Sequence, residues 1–146
     1  MSSASILAAI RRKENEIYLA QETIRRLEVK YEQQESAYQM YNWKVEEFED
    51  LISRKRAKAE AVAAHSPKNN LADKYAITID TVVNGSSWYE QKSNMIDIST
   101  NMERDIRNTG IEISDERSQL SNLRTQLANL QADYRRALSQ ELSAKK

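Results

Sequence analysis

The chain has 146 residues, 22 basic and 22 acidic side chains, one histidine and no cysteine. Charges of both signs are interspersed, so no single-sign field exists to draw a polyanion, and without cysteine neither a disulfide framework nor a Cys/His zinc site can form. Two glycines, one proline and one phenylalanine in a chain that is 30% charged describe an elongated all-α protein, read as a single domain over residues 1–146.

At the N-terminus, MSSASILAAIRRKENE has no basic segment ahead of its short apolar patch and no long apolar run. It reads as neither a signal peptide nor a membrane anchor, so a cytoplasmic protein with no membrane insertion is expected. The serines Ser2, Ser3 and Ser5 are suited to cap a first helix over about residues 4–62. Along it the apolar residues recur with a seven-residue period. Position a reads Ile10, Ile17, Ile24, Tyr31, Tyr38, Val45 and Ile52; position d reads Ile6, Lys13, Ala20, Leu27, Gln34, Tyr41 and Phe48. Only Lys13 and Gln34 interrupt a pattern that is the signature of a left-handed coiled coil.

The stretch His65-Ser66-Pro67-Lys68-Asn69-Asn70 interrupts the helix, and residues 63–86 are expected to form a short broken segment at the tip of a hairpin. Within it, Tyr75, Ile77 and Ile79 alternate like a strand, while Leu71, Tyr75, Thr78 and Val82 fit a helical face. The helical reading is the preferred one. Asn84-Gly85 then breaks the chain, and Ser87-Trp88-Tyr89-Glu90 has the form of a capping box that starts a second helix at Ser87. That helix is expected over residues 87–143, with Gly110 as its weak point. It repeats the stripe: a at Ile106, Ile113, Leu120, Leu127 and Tyr134; d at Trp88, Met95, Met102, Thr109, Glu116, Leu123, Leu130 and Ala137.

Two helices of similar length, joined by one interrupted segment, predict an antiparallel coiled-coil-like hairpin. If facing residue numbers total 147, every a meets a d: Ile10 with Ala137, Ile24 with Leu123, Val45 with Met102, Ile52 with Met95. The same register sets Tyr31 against Glu116, a phenol beside a carboxylate, and Glu28 within a turn of both Arg117 and Arg124. The stripes are equally able to pair between two copies, as a homodimer.

Such a rod offers no shielded cavity with convergent polar groups, and the sequence has no phosphate-cradling glycine loop, no Ser/His/Asp framework and no metal spacing. No enzyme activity and no cofactor are expected. The carboxylates Glu46, Glu47, Glu49 and Asp50 read as a solvated helix face rather than a cation site, and His65 as a loop residue. The basic clusters Arg11-Arg12-Lys13, Arg25-Arg26 and Arg54-Lys55-Arg56 are diluted by acidic neighbours, which argues against nucleic acid. More telling are apolar residues off the seam: Tyr18, Leu19, Val29, Met40, Trp43 and Leu51 in helix one, and Tyr89, Ile96, Ile98 and Ile111 in helix two. A hairpin does not need them. With Trp88, they are the candidate partner-binding residues, since aromatic and methionine side chains suit an interface.

At NGSSWYEQKSN, a tryptophan opens the second long helix just after a break. In this the chain resembles the WXG100-related helical-hairpin proteins of the type VII (ESX) secretion system, and more closely the DUF5082 group, which resembles partners of LXG toxins in Firmicutes. In WXG100 proteins the W-x-G tripeptide makes the turn; here Tyr89 and Glu90 follow Trp88, and Gly85 precedes it. The family's Y-x-x-x-D/E export signal follows the second helix, whereas here Tyr18 to Glu22 and Tyr31 to Glu35 both lie on the first. The resemblance implies a non-enzymatic targeting or chaperone-like subunit that packs on the helical N-terminal domain of an LXG toxin, or on a second small helical partner. It also implies possible type VII export together with that cargo. The alternative is a homo-oligomeric coiled-coil scaffold or spacer.

Overall fold

The computed structural model of the chain describes residues 2–65 and 70–145. Its elements are α1 (Ser3–His65), α2 (Asn70–Asn84) and α3 (Ser86–Ala144), with no strand among the described residues. The architecture is the all-α helical hairpin that the two stripes predict. No glycine or proline interrupts α1 between Ser3 and His65, and its wealth of Ala, Glu, Lys, Arg and Gln favours the helix at nearly every position.

The middle segment is helical, and its burial shows why the strand reading fails. Tyr75 and Ile79, one turn apart, are half-buried, while Ile77 between them points out and is exposed. A strand would put all three on one face. Gly85 separates α2 from α3. It approaches the preceding turn so closely that an added Cβ would lie 2.2 Å from the Thr81 carbonyl oxygen. The expected capping box is displaced: α3 begins at Ser86, and the amides of Trp88 and Tyr89 both donate to the Gly85 carbonyl, at 3.1 and 3.3 Å. Gly85 therefore holds the cap position, and Ser87 already lies in the first turn.

The chain divides into two compact units. The first, Met1–Gln33 with Arg107–Lys146, pairs the start of α1 antiparallel with the end of α3. Ile6, Ile10, Ile24, Ile113 and Leu120 are buried in it, and Thr109 is more enclosed than any of them at 2% exposed. Each buried aliphatic side chain contributes roughly 1.5–3 kcal/mol through removal from water. Ser2 caps α1 as expected of the serine cluster, its Oγ accepting from the Ser5 amide at 3.2 Å. From the far end of the sequence, Glu141 takes the Ser3 amide at 2.8 Å and the Ser3 hydroxyl at 2.6 Å. A carboxylate thereby satisfies an orphan donor at a helix N-terminus, where it is favoured electrostatically. Those two hydrogen bonds, the hydroxyl's first, hold the Glu141 carboxyl below its ordinary range.

The second unit, Gln34–Ile106, contains the rest of α1, all of α2 and the start of α3. Its seam is more aromatic. The Tyr38 hydroxyl donates to the Glu103 carboxylate, the Tyr41 hydroxyl donates to the Met95 carbonyl at 3.3 Å, and Ser99 donates to Asn42 Oδ1 at 3.4 Å. Phe48 and Trp88 pack with ring centroids 5.5 Å apart, tilted by 48°.

Every a and d position of both stripes is buried or half-buried, save Phe48 at 40% exposed. The pairing register differs from the expected one. Facing numbers total 141 for Tyr31 with Gly110, for Tyr38 with Glu103 and for Asn42 with Ser99, and 145 for Glu28 with Arg117. These are the offsets of a seam in which a meets d at a total of 140, one heptad short of 147. Val45 accordingly lies beside Met95, and Tyr31 beside Gly110 and Ile113. Within the first unit the same offset sets Leu123 opposite Ile17, not Ile24. The cause is the position of the fold-back. A total of 147 puts the midpoint of the pairing at residue 73 or 74, inside α2, whereas a total of 140 puts it at residue 70, where α2 begins.

Candidate partner-binding surface

In the first unit, Tyr18, Leu19 and Ile111 are each more than half exposed, and Val29 nearly so. They occupy outer positions b, c and f of the heptad, so the seam cannot cover them. In the second unit, Met40, Trp43, Tyr89 and Ile96 are more than half exposed, and Leu51 and Ile98 almost half. Tyr89 and Ile96 lie seven residues apart at position e and share one face of α3; Met40 and Trp43, three apart, share another on α1. Trp88 stands apart from this set. It is half-buried in the seam against Phe48, which is where its d position puts it.

Sequence periodicity missed several members of this surface. Leu71, Ile77 and Val82 on α2 are all more than half exposed, and Leu142 near the end of α3 is 57% exposed. The α2 residues fit a helical stripe, but among the described side chains of that helix only Tyr75 and Ile79 find cover. Their exposure depends on which tertiary neighbours α2 finds, which no local pattern encodes.

Two shallow grooves adjoin the seam. One, of about 430 Å³ in the first unit, is lined by Glu28, Tyr31, Glu32, Gly110, Ile113 and Arg117. A smaller one of about 130 Å³ in the second unit is lined by Asn42, Val45, Glu49, Lys92, Met95, Ile96 and Ser99. Arg117 donates to Glu28 across the first groove at 2.8 Å. Both side chains are largely exposed, so the pair contributes only ~0–1 kcal/mol. Lys44 places its ammonium 4.8 Å from the Trp43 ring centroid, a cation–π contact that orients the exposed indole.

Among the described residues no three His, Asp or Glu side chains converge as metal ligands, and the Glu46–Asp50 carboxylates are all exposed. Lys13 pairs with Glu16 and Arg25 with Glu22, so one cation in each of two basic clusters is neutralised locally. His65 ends α1, with its side chain outside the described residues. No helix among the described residues is long and apolar enough to cross a membrane. No family model, no curated protein and no solved structure matches the chain.

Proposed function

We propose that the chain is a non-enzymatic helical binding partner, acting as a targeting or chaperone-like subunit for another helical protein. The observation that carries this reading is the set of large apolar side chains left in water once the seam has formed, among them Met40 at 65%, Tyr89 at 62% and Tyr18 at 58% exposed. Hydrophobic residues on outer heptad positions gain stability only from a further helix laid against them. Its resemblance to type VII secretion partners names the cargo class, the helical N-terminal domain of an LXG toxin. The homo-oligomeric scaffold is less favoured, because the a and d stripes it would use between copies are already consumed within one chain.

Co-expression with the N-terminal domain of an LXG toxin tests the proposal. A stoichiometric complex on size exclusion is expected, and Trp43→Ser combined with Tyr89→Ser should weaken it by at least about tenfold, as loss of aromatic anchors does. A chain that stays monodisperse and shows no affinity for such domains contradicts the reading.

A further inference from the structure

Gly110 sits in the interior of α3, where glycine costs roughly 1 kcal/mol relative to alanine. Neither of the usual structural reasons explains it. No glycine here has a positive φ, and a Cβ at Gly110 would meet only the Tyr31 ring edge, at an ordinary 3.6 Å. Packing inside the hairpin therefore tolerates alanine. What the missing side chain does create is the floor of the larger groove, where the α3 backbone lies open between Tyr31 and Ile113.

The groove has a definite chemistry. Its walls are an aromatic ring and a branched aliphatic chain, which suit an apolar stem. On its rim Arg117 and Glu28 neutralise each other, while Glu32 is exposed and has no ion pair among the described residues. The rim thus keeps one uncompensated negative charge beside a tyrosine. A long side chain with an apolar stem and a cationic head matches both features.

We infer that this groove is the docking point for an arginine or lysine projecting from the partner's helix, with Gly110 allowing the close approach. The inference deepens the binding-partner reading and rests on it for its biological meaning, but the site can be tested without any partner protein. The full chain, labelled with nitrogen-15, is titrated with n-butylguanidinium and, as a neutral comparator of the same shape, n-butylurea. Saturable amide shifts centred on Gly110 and Ile113 are expected with the cation and not with the urea. Gly110→Leu, which fills the groove, should abolish them. Glu32→Gln should weaken binding about threefold, in line with loss of one exposed charge contact. Equal or scattered shifts with both compounds overturn the inference. A chain that binds the guanidinium but no toxin domain overturns the functional reading alone; a toxin complex unaffected by Gly110→Leu overturns the site alone.

Discussion

The two units are built from the same heptad plan with different side chains, and they close differently. In the first, aliphatic residues fill the seam, and five of them together with Thr109 are buried; in the second, Ala59 is the single buried side chain among the described residues. Large side chains crowd the second seam, with Tyr38, Tyr41, Phe48, Trp88, Met95 and Met102 at its a and d positions against Tyr31 and Tyr134 in the first. A phenol at a or d is too long to sit within the seam and carries a hydroxyl that must find a partner, so Tyr38 and Tyr41 reach across to Glu103 and to the Met95 carbonyl. Those hydrogen bonds specify pairing, but each contributes only about 1 kcal/mol net, less than a buried leucine or isoleucine. The lesson is that a correct heptad pattern sets which residues face inward, while side-chain shape sets how completely the seam excludes water.

Truncation within each seam should show this contrast most strongly. Ile24→Ala in the first unit is expected to cost roughly 2–5 kcal/mol, whereas Val45→Ala, half-buried in the second, should cost about 1 kcal/mol. Urea unfolding measures both; equal costs would erase the distinction between the units.

The two glycines should respond to alanine with opposite signs. At Gly85 a Cβ would run into the Thr81 backbone oxygen, so the junction must shift, at about 1–3 kcal/mol. Gly110→Ala should instead raise stability by up to ~1 kcal/mol, because the helix gains and the Tyr31 ring is not displaced. Thermal midpoints of the two variants decide the point, and a destabilised Gly110→Ala would show that the first unit is packed more tightly than described.

A smaller effect should appear in acid and only in the first unit. The Ser3 hydroxyl and amide, helped by Lys145, lower the native Glu141 pKa, so the stability this contact supplies is complete above the unfolded carboxylate range. It is lost as pH falls through the depressed native value. Glu141→Gln should therefore lower stability at neutral pH and flatten its acid decline. Parallel acid profiles for both proteins would show that the clamp contributes nothing.

Much of this fold was legible in the sequence because burial follows the heptad. Ile10, Ile24, Ile113 and Leu120 are buried where their a positions put them, and Tyr18, Met40 and Tyr89 are exposed where theirs do. The register was not legible, and the reason is arithmetic. Sliding one helix by seven residues still matches every a with a d, so the apolar pattern alone cannot distinguish totals of 140 and 147. What breaks the degeneracy is non-repeating: where α1 ends and α2 begins, and single polar partners such as Tyr38 with Glu103. A phenol–carboxylate pair of the kind anticipated for Tyr31 is present at Tyr38 with Glu103. The candidate surface was readable as a list of residues, but the Gly110 groove was not, since a glycine's significance depends on what lies opposite it.

An intrachain seam in this register is the claim on which the exposed surface depends. Because the chain has no cysteine, two can be introduced cleanly and joined with a short bifunctional thiol reagent at low protein concentration. Ile17→Cys with Leu123→Cys should close within a single chain, in clear preference to Ile24→Cys with Leu123→Cys. Preferential closure of the second pair, or products only between chains, would contradict the hairpin described here.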